Sequence, residues 1–174
     1  MEYSVRHKCF ISYHHDRDQK GVENFIRNFS DKHEVFRSKA VGIDQDLVSS
    51  TDPAYIMRKI RERHLADSTV TIVIIGRCTW SRKYVDWEIA STLRNDPVNK
   101  RSGLVGILLL NTPDSVQLPQ RLEANMESGY AKCYHYPRNA SQLDRMIEHA
   151  FKTRTSRGDD VINNLGLFVN NRNC

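Results

Sequence analysis

The 174-residue chain has 39% hydrophobic and 27% charged side chains, which fits one globular domain with its own core. Its formal net charge is +5, but the basic residues are scattered, and the densest group, RKIRERH at 58–64, is interrupted by Glu62. This group is typical of a solvated helix face rather than a nucleic-acid surface, although a modest positive field favours an anionic small ligand. No apolar run reaches the about 20 residues that cross a bilayer, so we expect no membrane partner.

Four cysteines are widely spaced and form no C-x-x-C pair: Cys9, Cys78, Cys133 and Cys174. The opening residues MEYSVRHKC also lack the apolar stretch of a secretory signal. We therefore expect reduced thiols and a cytoplasmic protein. No cysteine has an evident local base, so Cys78 is expected to pack rather than to act as a nucleophile.

The first half of the chain alternates strand and helix patterns. KCFISY at 8–13 is rich in β-forming residues and ends in the polar run HHDRD, which is typical of a strand leading into a loop. Residues 35–50 have room for a short second strand, and TDP at 51–53 predicts the start of a helix over AYIMRKIRERHL. The first helix is predicted from the i, i+3, i+4, i+7 spacing of Val22, Phe25, Ile26 and Phe29.

The second half continues this alternation. STVTIVIIG at 68–76 is an unbroken β-branched run closed by glycine, which predicts a central strand buried on both faces. An apolar stripe at i, i+4, i+8 predicts a helix over 84–93, and further strands are predicted at 103–110 and 130–136. A last helix is predicted from its apolar positions, Leu143, Met146, Ile147, Ala150 and Phe151.

The repeated β–α order predicts a three-layer α/β fold of the flavodoxin-like kind. We expect a five-stranded parallel sheet of order 2-1-3-4-5 with helices on both faces. Residues 1–154 would form the domain. Residues 155–174 would be its tail, either flexible or docked as an arm on the body or on a second copy.

The expected strand order also predicts where a ligand binds. In an open parallel sheet, ligands lie beyond the carboxyl ends of the strands, where the winding reverses. Here that point falls between the first and third strands, so the loop YHHD at 13–16 would face the loop RCTWSRKY at 77–84. Glu88 follows one turn into the adjoining helix. We therefore expect a cleft lined by these two loops and Glu88.

Several chemistries are excluded by residue types. The chain has no G-x-G-x-x-G after its first strand and no G-x-x-x-x-G-K-[ST], so neither a Rossmann turn nor a P-loop is present. A phosphoryl-accepting aspartate is missing after the third strand, where Gly76 and Arg77 stand instead. His14, His15 and Asp16 are consecutive, and their side chains point in different directions without a second group of ligands, so we predict no metal site.

Glu88 admits two interpretations. A carboxylate in the first turns of a helix interacts favourably with the helix dipole, worth about 0.3–1 kcal/mol, and can pair with a nearby cation. The second interpretation is a functional role, which the neighbouring aromatic residues favour. Trp80, Tyr84 and Trp87 are costly on a surface unless they pack or bind something flat. Tyr84 and Glu88 share one helix face at i, i+4. Residue patterns alone leave both interpretations open, and Trp87 is also compatible with ordinary packing.

Two motifs resemble a known family. KCFISY is similar to the opening strand of the TIR superfamily, with its aromatic-x-Ser-aromatic pattern, and SRKYVDWEI resembles the superfamily motif S-x-x-W-C/V-x-x-E-I. The matching positions are Ser81, Val85, Glu88 and Ile89, with Tyr84 where tryptophan is more usual. SYHH at 12–15 and YVDWE at 84–88 most resemble the TIR-like family of bacterial Thoeris anti-phage defence proteins. The resemblance runs over about residues 8–110 and implies a TIR-like fold.

The resemblance implies an enzyme that cleaves the N-glycosidic bond of NAD and cyclises the ADP-ribose part to a second messenger or transfers it to water. Nicotinamide in NAD is already a cationic leaving group, so Glu88 alone suffices where ordinary glycosidases use two carboxyl groups. Its task would be to stabilise the oxocarbenium charge. NAD is a substrate here, and no cofactor is expected. The residues expected to contact NAD are Phe10, Ser12, Tyr13, His14, Asp46, Trp80 and Tyr84.

Two alternatives belong to other functional classes. One is a TIR-like module without catalysis that acts by self-assembly or partner binding. The other is a nucleoside deoxyribosyltransferase-like enzyme, which shares the α/β core and the glycosidic chemistry. For the NAD enzyme, the expected partners are NAD and an effector protein reached through a diffusible nucleotide signal. A homo-oligomer stays open, and neither nucleic acid nor a membrane is expected as a partner.

Overall fold

The structure, a computed structural model, describes residues 7–29, 35–37, 50–98 and 100–174. The strands are β1 (Cys9–Ser12), β2 (Val35–Arg37), β3 (Val70–Ile75), β4 (Gly103–Leu108) and β5 (Lys132–Tyr134). The α-helices are α1 (His15–Phe29), α2 (Pro53–Ile60), α3 (Lys83–Leu93), α4 (Gln120–Glu127) and α5 (Ala140–Ser156). A π-helical turn at Arg61–Leu65 extends α2, and short 3-10 helices lie at Thr79–Ser81 and Gly158–Asp160.

The sheet has the order β2-β1-β3-β4-β5, and each neighbouring pair of strands runs parallel. β3 lies between β1 and β4, with Ile72 opposite Ile11 on one side and Val105 on the other. All six residues of β3 are buried, as their β-branched side chains predict for a strand covered on both faces. The predicted α/β fold with a parallel sheet and helices is confirmed, and the strand order is the one expected.

Two apolar layers cover the two faces of the sheet. Alternate residues of a strand point to opposite faces, so Ile72 and Ile74 pack in one layer while Val73 and Ile75 pack in the other. The first layer includes apolar residues of α1 and α5, and the second those of α3 and α4. Burying each such side chain contributes about 1.5–3 kcal/mol, which makes these layers the main source of stability.

Capping residues fix two helix starts. Asp52 stands before α2 with an extended backbone and accepts a hydrogen bond from the Ala54 amide at 3.0 Å, while Pro53 occupies the first helical position. The TDP signal therefore acts as predicted. Asn139 caps α5 in the same way by accepting from the Gln142 amide at 2.9 Å.

The helix α4 was not predicted, because its buried face is largely polar. Its buried residues are Arg121, Leu122 and Asn125, so the apolar spacing that signals an amphipathic helix is missing. Asn125 donates to the carbonyl of Ile162 at 2.8 Å, and its side-chain oxygen accepts from the Ile162 amide at 2.9 Å. These contacts attach the residues that follow α5 to the body of the protein.

The segment of residues 161–174, called the arm below, docks on α3 and α4. Helix α5 continues to Ser156, past the boundary expected at residue 154. Phe168 is the buried anchor of the arm, with 7% of its surface exposed, while residues 169–174 are exposed. Among the described residues, no helix combines the length and apolar character that a membrane span requires.

Two of the cysteines are paired. Cys78 and Cys174 form a disulfide with a Cα–Cα distance of 5.7 Å across 96 positions of sequence. The expectation of reduced thiols is therefore corrected at these positions, because the arm brings its last residue back to the turn after β3. Cys9 and Cys133 are free, and burial raises the pKa of the Cys9 thiol to about 12 and that of Cys133 to about 11.

Candidate functional site

The loops after β1 and β3 face each other at the carboxyl edge of the sheet. Arg17, in the first turn of α1, places its Nη1 3.5 Å from the Cys78 sulfur. The Asp18 carboxylate packs against Gly76 so closely that a Cβ at this glycine would collide with it. A residue other than glycine at this position would therefore displace the Asp18 carboxylate at the close approach between α1 and the end of β3. This juxtaposition is the one that the strand order predicts.

Glu88 lies in the second turn of α3 and reaches the end of β1. The Ser12 hydroxyl donates a hydrogen bond to Glu88 Oε2 at 2.5 Å, and the two residues are 0% and 7% exposed. Burying a carboxylate is costly unless hydrogen bonds compensate, and a bond to a charged acceptor is among the stronger ones. α3 is fixed over β3 through Thr92, whose hydroxyl donates to the Glu88 carbonyl at 2.9 Å and lies 2.8 Å from the Thr71 hydroxyl.

His14 lies two residues after the end of β1 and is 5% exposed. Burial lowers the pKa of its imidazole from 6.5, and the positive charge of Arg82 lowers it further. The ring is therefore neutral at physiological pH and can donate one hydrogen bond and accept another.

The aromatic residues of the site divide into packed and accessible ones. Trp87 is 3% exposed, donates its Nε1–H to the Phe168 carbonyl at 2.8 Å, and so has a packing role. Tyr84 lies edge-on to Trp87 with ring centroids 5.4 Å apart, and Lys83 Nζ lies 5.5 Å from the centroid of the Tyr84 ring. Tyr84 and Trp80 are half-buried and keep accessible ring surface.

Two expected contact residues lie in the apolar core, and a third is not described by the structure. Phe10 is 1% exposed and packs with Ile60 and Trp87 in the core. Tyr13 is 2% exposed and lies in the apolar layer of α1 and α5, on the opposite face of the sheet from Ser12. The cause is the alternation of side chains along the strand. Asp46 lies outside the described residues.

A buried ion pair that was not predicted from the sequence holds α3 in place. Arg121 of α4 bonds Asp86 through two nitrogen atoms, with Nε–Oδ1 at 3.0 Å and Nη2–Oδ2 at 3.3 Å. The two side chains are 1% and 5% exposed. The sequence feature that indicates such a pair is the carboxylate of Asp86, which stands between the apolar residues Val85 and Trp87 in a helix that is buried on nearly every side. A carboxylate there needs an internal cation.

Cationic side chains surround the carboxyl edge. Arg77 is exposed, and Arg82 and Lys83 are half-buried in the turn that precedes and opens α3. Arg77 also lines a cleft of about 450 Å³ whose other walls come from the segment after β4, Asn111 to Gln117. The local charge is therefore suited to an anionic ligand. The described residues hold no group of three or more His, Cys, Asp or Glu side chains placed for a metal ion.

The parallel sheet, the paired loops and the buried glutamate define a protein of the TIR-like α/β class. Residues 10–114 match the family described as Thoeris protein ThsB, TIR-like domain; this is more than half of the 174 residues, so the chain belongs to that family. Membership indicates a role in anti-phage defence. A search of the curated proteins found no match. The matched range contains all the candidate site residues, whereas α4, β5, α5 and the arm lie beyond it.

Proposed function

We propose that this chain is an NAD-processing enzyme of bacterial anti-phage immunity. It would cleave the bond between nicotinamide and ribose and convert the ADP-ribose part to a cyclic signal that reaches an effector protein. The observation that carries this proposal is the buried hydrogen bond from Ser12 to Glu88, at the sheet edge where ligands of such folds bind. A carboxylate that served only the helix dipole would not need burial against another strand.

The geometry supports a dissociative reaction. When the C1′–N bond breaks, its electron pair leaves with nicotinamide, which becomes neutral, and the ribose becomes an oxocarbenium ion. The Glu88 carboxylate would stabilise this positive charge, and the Ser12 hydroxyl would hold Oε2 in a fixed direction. A hydroxyl or ring nitrogen of the same ADP-ribose then adds to C1′ and closes the ring, or water adds and gives ADP-ribose. The proton lost by a hydroxyl or water nucleophile would pass to Glu88.

The surrounding side chains would bind the rest of NAD. Tyr84 and Trp80 offer ring surface for stacking on nicotinamide or adenine. His14, neutral because burial lowers its pKa, would hydrogen-bond a ribose hydroxyl. Arg82 and Arg77 would pair with the pyrophosphate.

The test is NAD consumption by a Glu88→Gln variant, assayed with purified protein and with protein added to a lysate of phage-infected cells. The substitution keeps the shape and removes the charge, so we expect turnover to fall on the order of 10²–10³-fold with an unchanged fold. Glu123→Gln is the matched control, because Glu123 is an exposed glutamate in the first turn of α4. It changes a helix-dipole interaction only, and turnover should stay at the wild-type level.

The same assay separates the alternatives. Release of base from deoxynucleosides with NAD left intact would support a deoxyribosyltransferase-like reaction. Wild-type turnover by Glu88→Gln would refute the proposed role of this carboxylate. No consumption of either substrate by folded protein in the infected lysate would favour a TIR-like module that acts by assembly.

A further inference from the structure

The disulfide joins a buried sulfur to an exposed one. Cys78 is 2% exposed, in the turn between β3 and α3, whereas Cys174 is an exposed residue at the end of the arm. A thiol in solution therefore meets the sulfur of Cys174 first. The leaving sulfur would be that of Cys78, which lies 3.5 Å from Nη1 of Arg17. A neighbouring cation stabilises a departing thiolate and so favours its release.

The disulfide is next to a helix start that the arm completes. The residue before α3, Arg82, makes no side-chain capping bond. Instead, Asn171 of the arm accepts a hydrogen bond from the Lys83 amide at 2.9 Å, and the Arg172 amide donates to the Ser81 carbonyl at 2.8 Å. Asn171 therefore has the role of an N-cap residue supplied from the other end of the chain.

The arm has an inner part that is firmly held and an outer part that is not. Phe168 of the inner part donates its amide to Asp86 Oδ2 at 2.9 Å and accepts from Trp87 Nε1 at 2.8 Å, and all three residues are buried. The outer part, residues 169–174, is exposed. Among the described residues, it is held by the disulfide, by the two hydrogen bonds near Ser81 and Lys83, and by the Arg172 guanidinium, which lies 4.1 Å from the centroid of the Phe168 ring. Water competes for the exposed bond between the Lys83 amide and Asn171, so the covalent link is the strong attachment.

We propose that the Cys78–Cys174 disulfide is a site of thiol–disulfide exchange that controls whether the outer arm caps α3. A thiolate of a dithiol reductant attacks the Cys174 sulfur, the S–S bond breaks, and Cys78 leaves as a thiolate that takes up a proton. The second thiolate of the reductant then attacks the mixed disulfide and releases Cys174. The protein disulfide gains two electrons, and the dithiol is oxidised to its own disulfide.

Reduction removes the covalent link that holds Asn171 near the first turn of α3. In the oxidised protein the link keeps Asn171 close to the Lys83 amide, as a short tether raises the effective concentration of any attached group. In the reduced protein the outer arm is released, and the first turn of α3 loses its cap. Since α3 also carries Glu88, the thiol state would alter the order of the candidate site; this last link alone rests on the proposed function.

Hydrogen exchange measured by mass spectrometry on oxidised protein and on protein reduced with dithiothreitol tests the proposal. We expect the amides of Lys83 and Arg172 to exchange about 10²-fold faster after reduction, the lower end of the gain that a short tether gives. Cys174→Ser should exchange fast without reductant and not respond to it. Cys133→Ser, at a free cysteine, is the matched control and should behave like the wild type. Arg17→Gln should slow the reduction.

Two results would overturn the proposal. One is alkylation of Cys174 in air-oxidised protein without reductant, which would show that the disulfide does not form. The other is equal exchange at Lys83 in the oxidised and reduced states. NAD turnover measured in parallel separates the two proposals. If the wild type consumes no NAD while exchange responds to reduction, the exchange site stands and the proposed function fails. If NAD is consumed equally in both states, the link from the arm to the site is refuted.

Discussion

The pair of Arg121 and Asp86 should be the most sensitive polar contact of the fold. Arg121→Met keeps the apolar stem and removes the guanidinium, which leaves the Asp86 carboxylate buried without its cation. It also leaves the carbonyls of Leu165 and Gly166 and the side-chain oxygen of Asn163 without their donor, at 3.0, 3.2 and 3.1 Å in the structure. Removing one partner of a buried pair costs about 3–5 kcal/mol, which corresponds to a fall in Tm of roughly 6–20 °C for a domain of this size.

Urea denaturation followed by circular dichroism measures this loss of unfolding free energy. Arg157→Met is the matched control, because the pair of Arg157 and Asp160 is about half exposed and should contribute at most about 1 kcal/mol. Combining Arg121→Met with Asp86→Leu should recover part of the stability, since the uncompensated charge is then gone. A loss below about 1 kcal/mol for Arg121→Met alone would refute the reasoning.

Three further predictions concern the site and the histidines whose pKa is lowered by burial. Ser12→Ala should lower kcat for NAD about 10–10²-fold and cost roughly 1–3 kcal/mol of unfolding free energy, because it removes a donor to the buried Glu88 carboxylate; an unchanged kcat would contradict this. Gly76→Ala should cost roughly 1–3 kcal/mol in thermal denaturation, and Asp18→Ala in the same chain should remove most of that cost; wild-type stability of the single variant would contradict the close approach. Burial lowers the pKa of three buried or half-buried histidines from 6.5 in the folded state: His14, His15 and His64. The unfolded state then binds more protons, so stability should decrease as the pH falls from about 6.5 through the lower folded-state pKa values. Urea denaturation at several pH values between 8 and 5 gives the unfolding free energy at each pH. This free energy should change less with pH for His14→Gln than for the wild type.

The sheet was predictable because its signals are apolar and local. β3 is a continuous β-branched run, and the stripes of α1, α3 and α5 repeat at helical spacing. Since parallel strands need crossover helices, the alternation of the two patterns then implies the topology. Each strand and helix can therefore be predicted from neighbouring residues of the sequence alone.

α4 and the arm were not predictable in this way, because polar groups stabilise them through distant partners. Arg121 looks like a surface residue in the sequence, yet it is 1% exposed, since its donors are satisfied by Asp86 and by the arm. The disulfide also joins residues that are distant in sequence, because 96 positions separate its cysteines and no local spacing indicates the pairing. Contacts of this kind depend on the complete fold.

The candidate site was predictable in part. The facing loops follow from the strand order, whereas the hydrogen bond from Ser12 to Glu88 was not predicted. Tyr13 was expected to contact NAD together with Ser12, although the period-2 alternation of a strand puts these two side chains on opposite faces of the sheet. The burial of Phe10 and Trp87 depends on how α2 packs against α3, which the sequence pattern does not specify.

The family match ends at residue 114, but the matched segment depends on later elements of the chain to cover its sheet. β4 is covered by α5, where Gly103 packs so closely on the Ala150 carbonyl that a Cβ there would collide with it, and β5 completes the hydrogen bonding along its edge. A transplanted segment of residues 10–114 would expose both that edge and an apolar face, which invites aggregation. The smallest unit that can be exchanged between relatives therefore extends into the arm, and divergence beyond residue 114 is constrained by the need to cover the matched part.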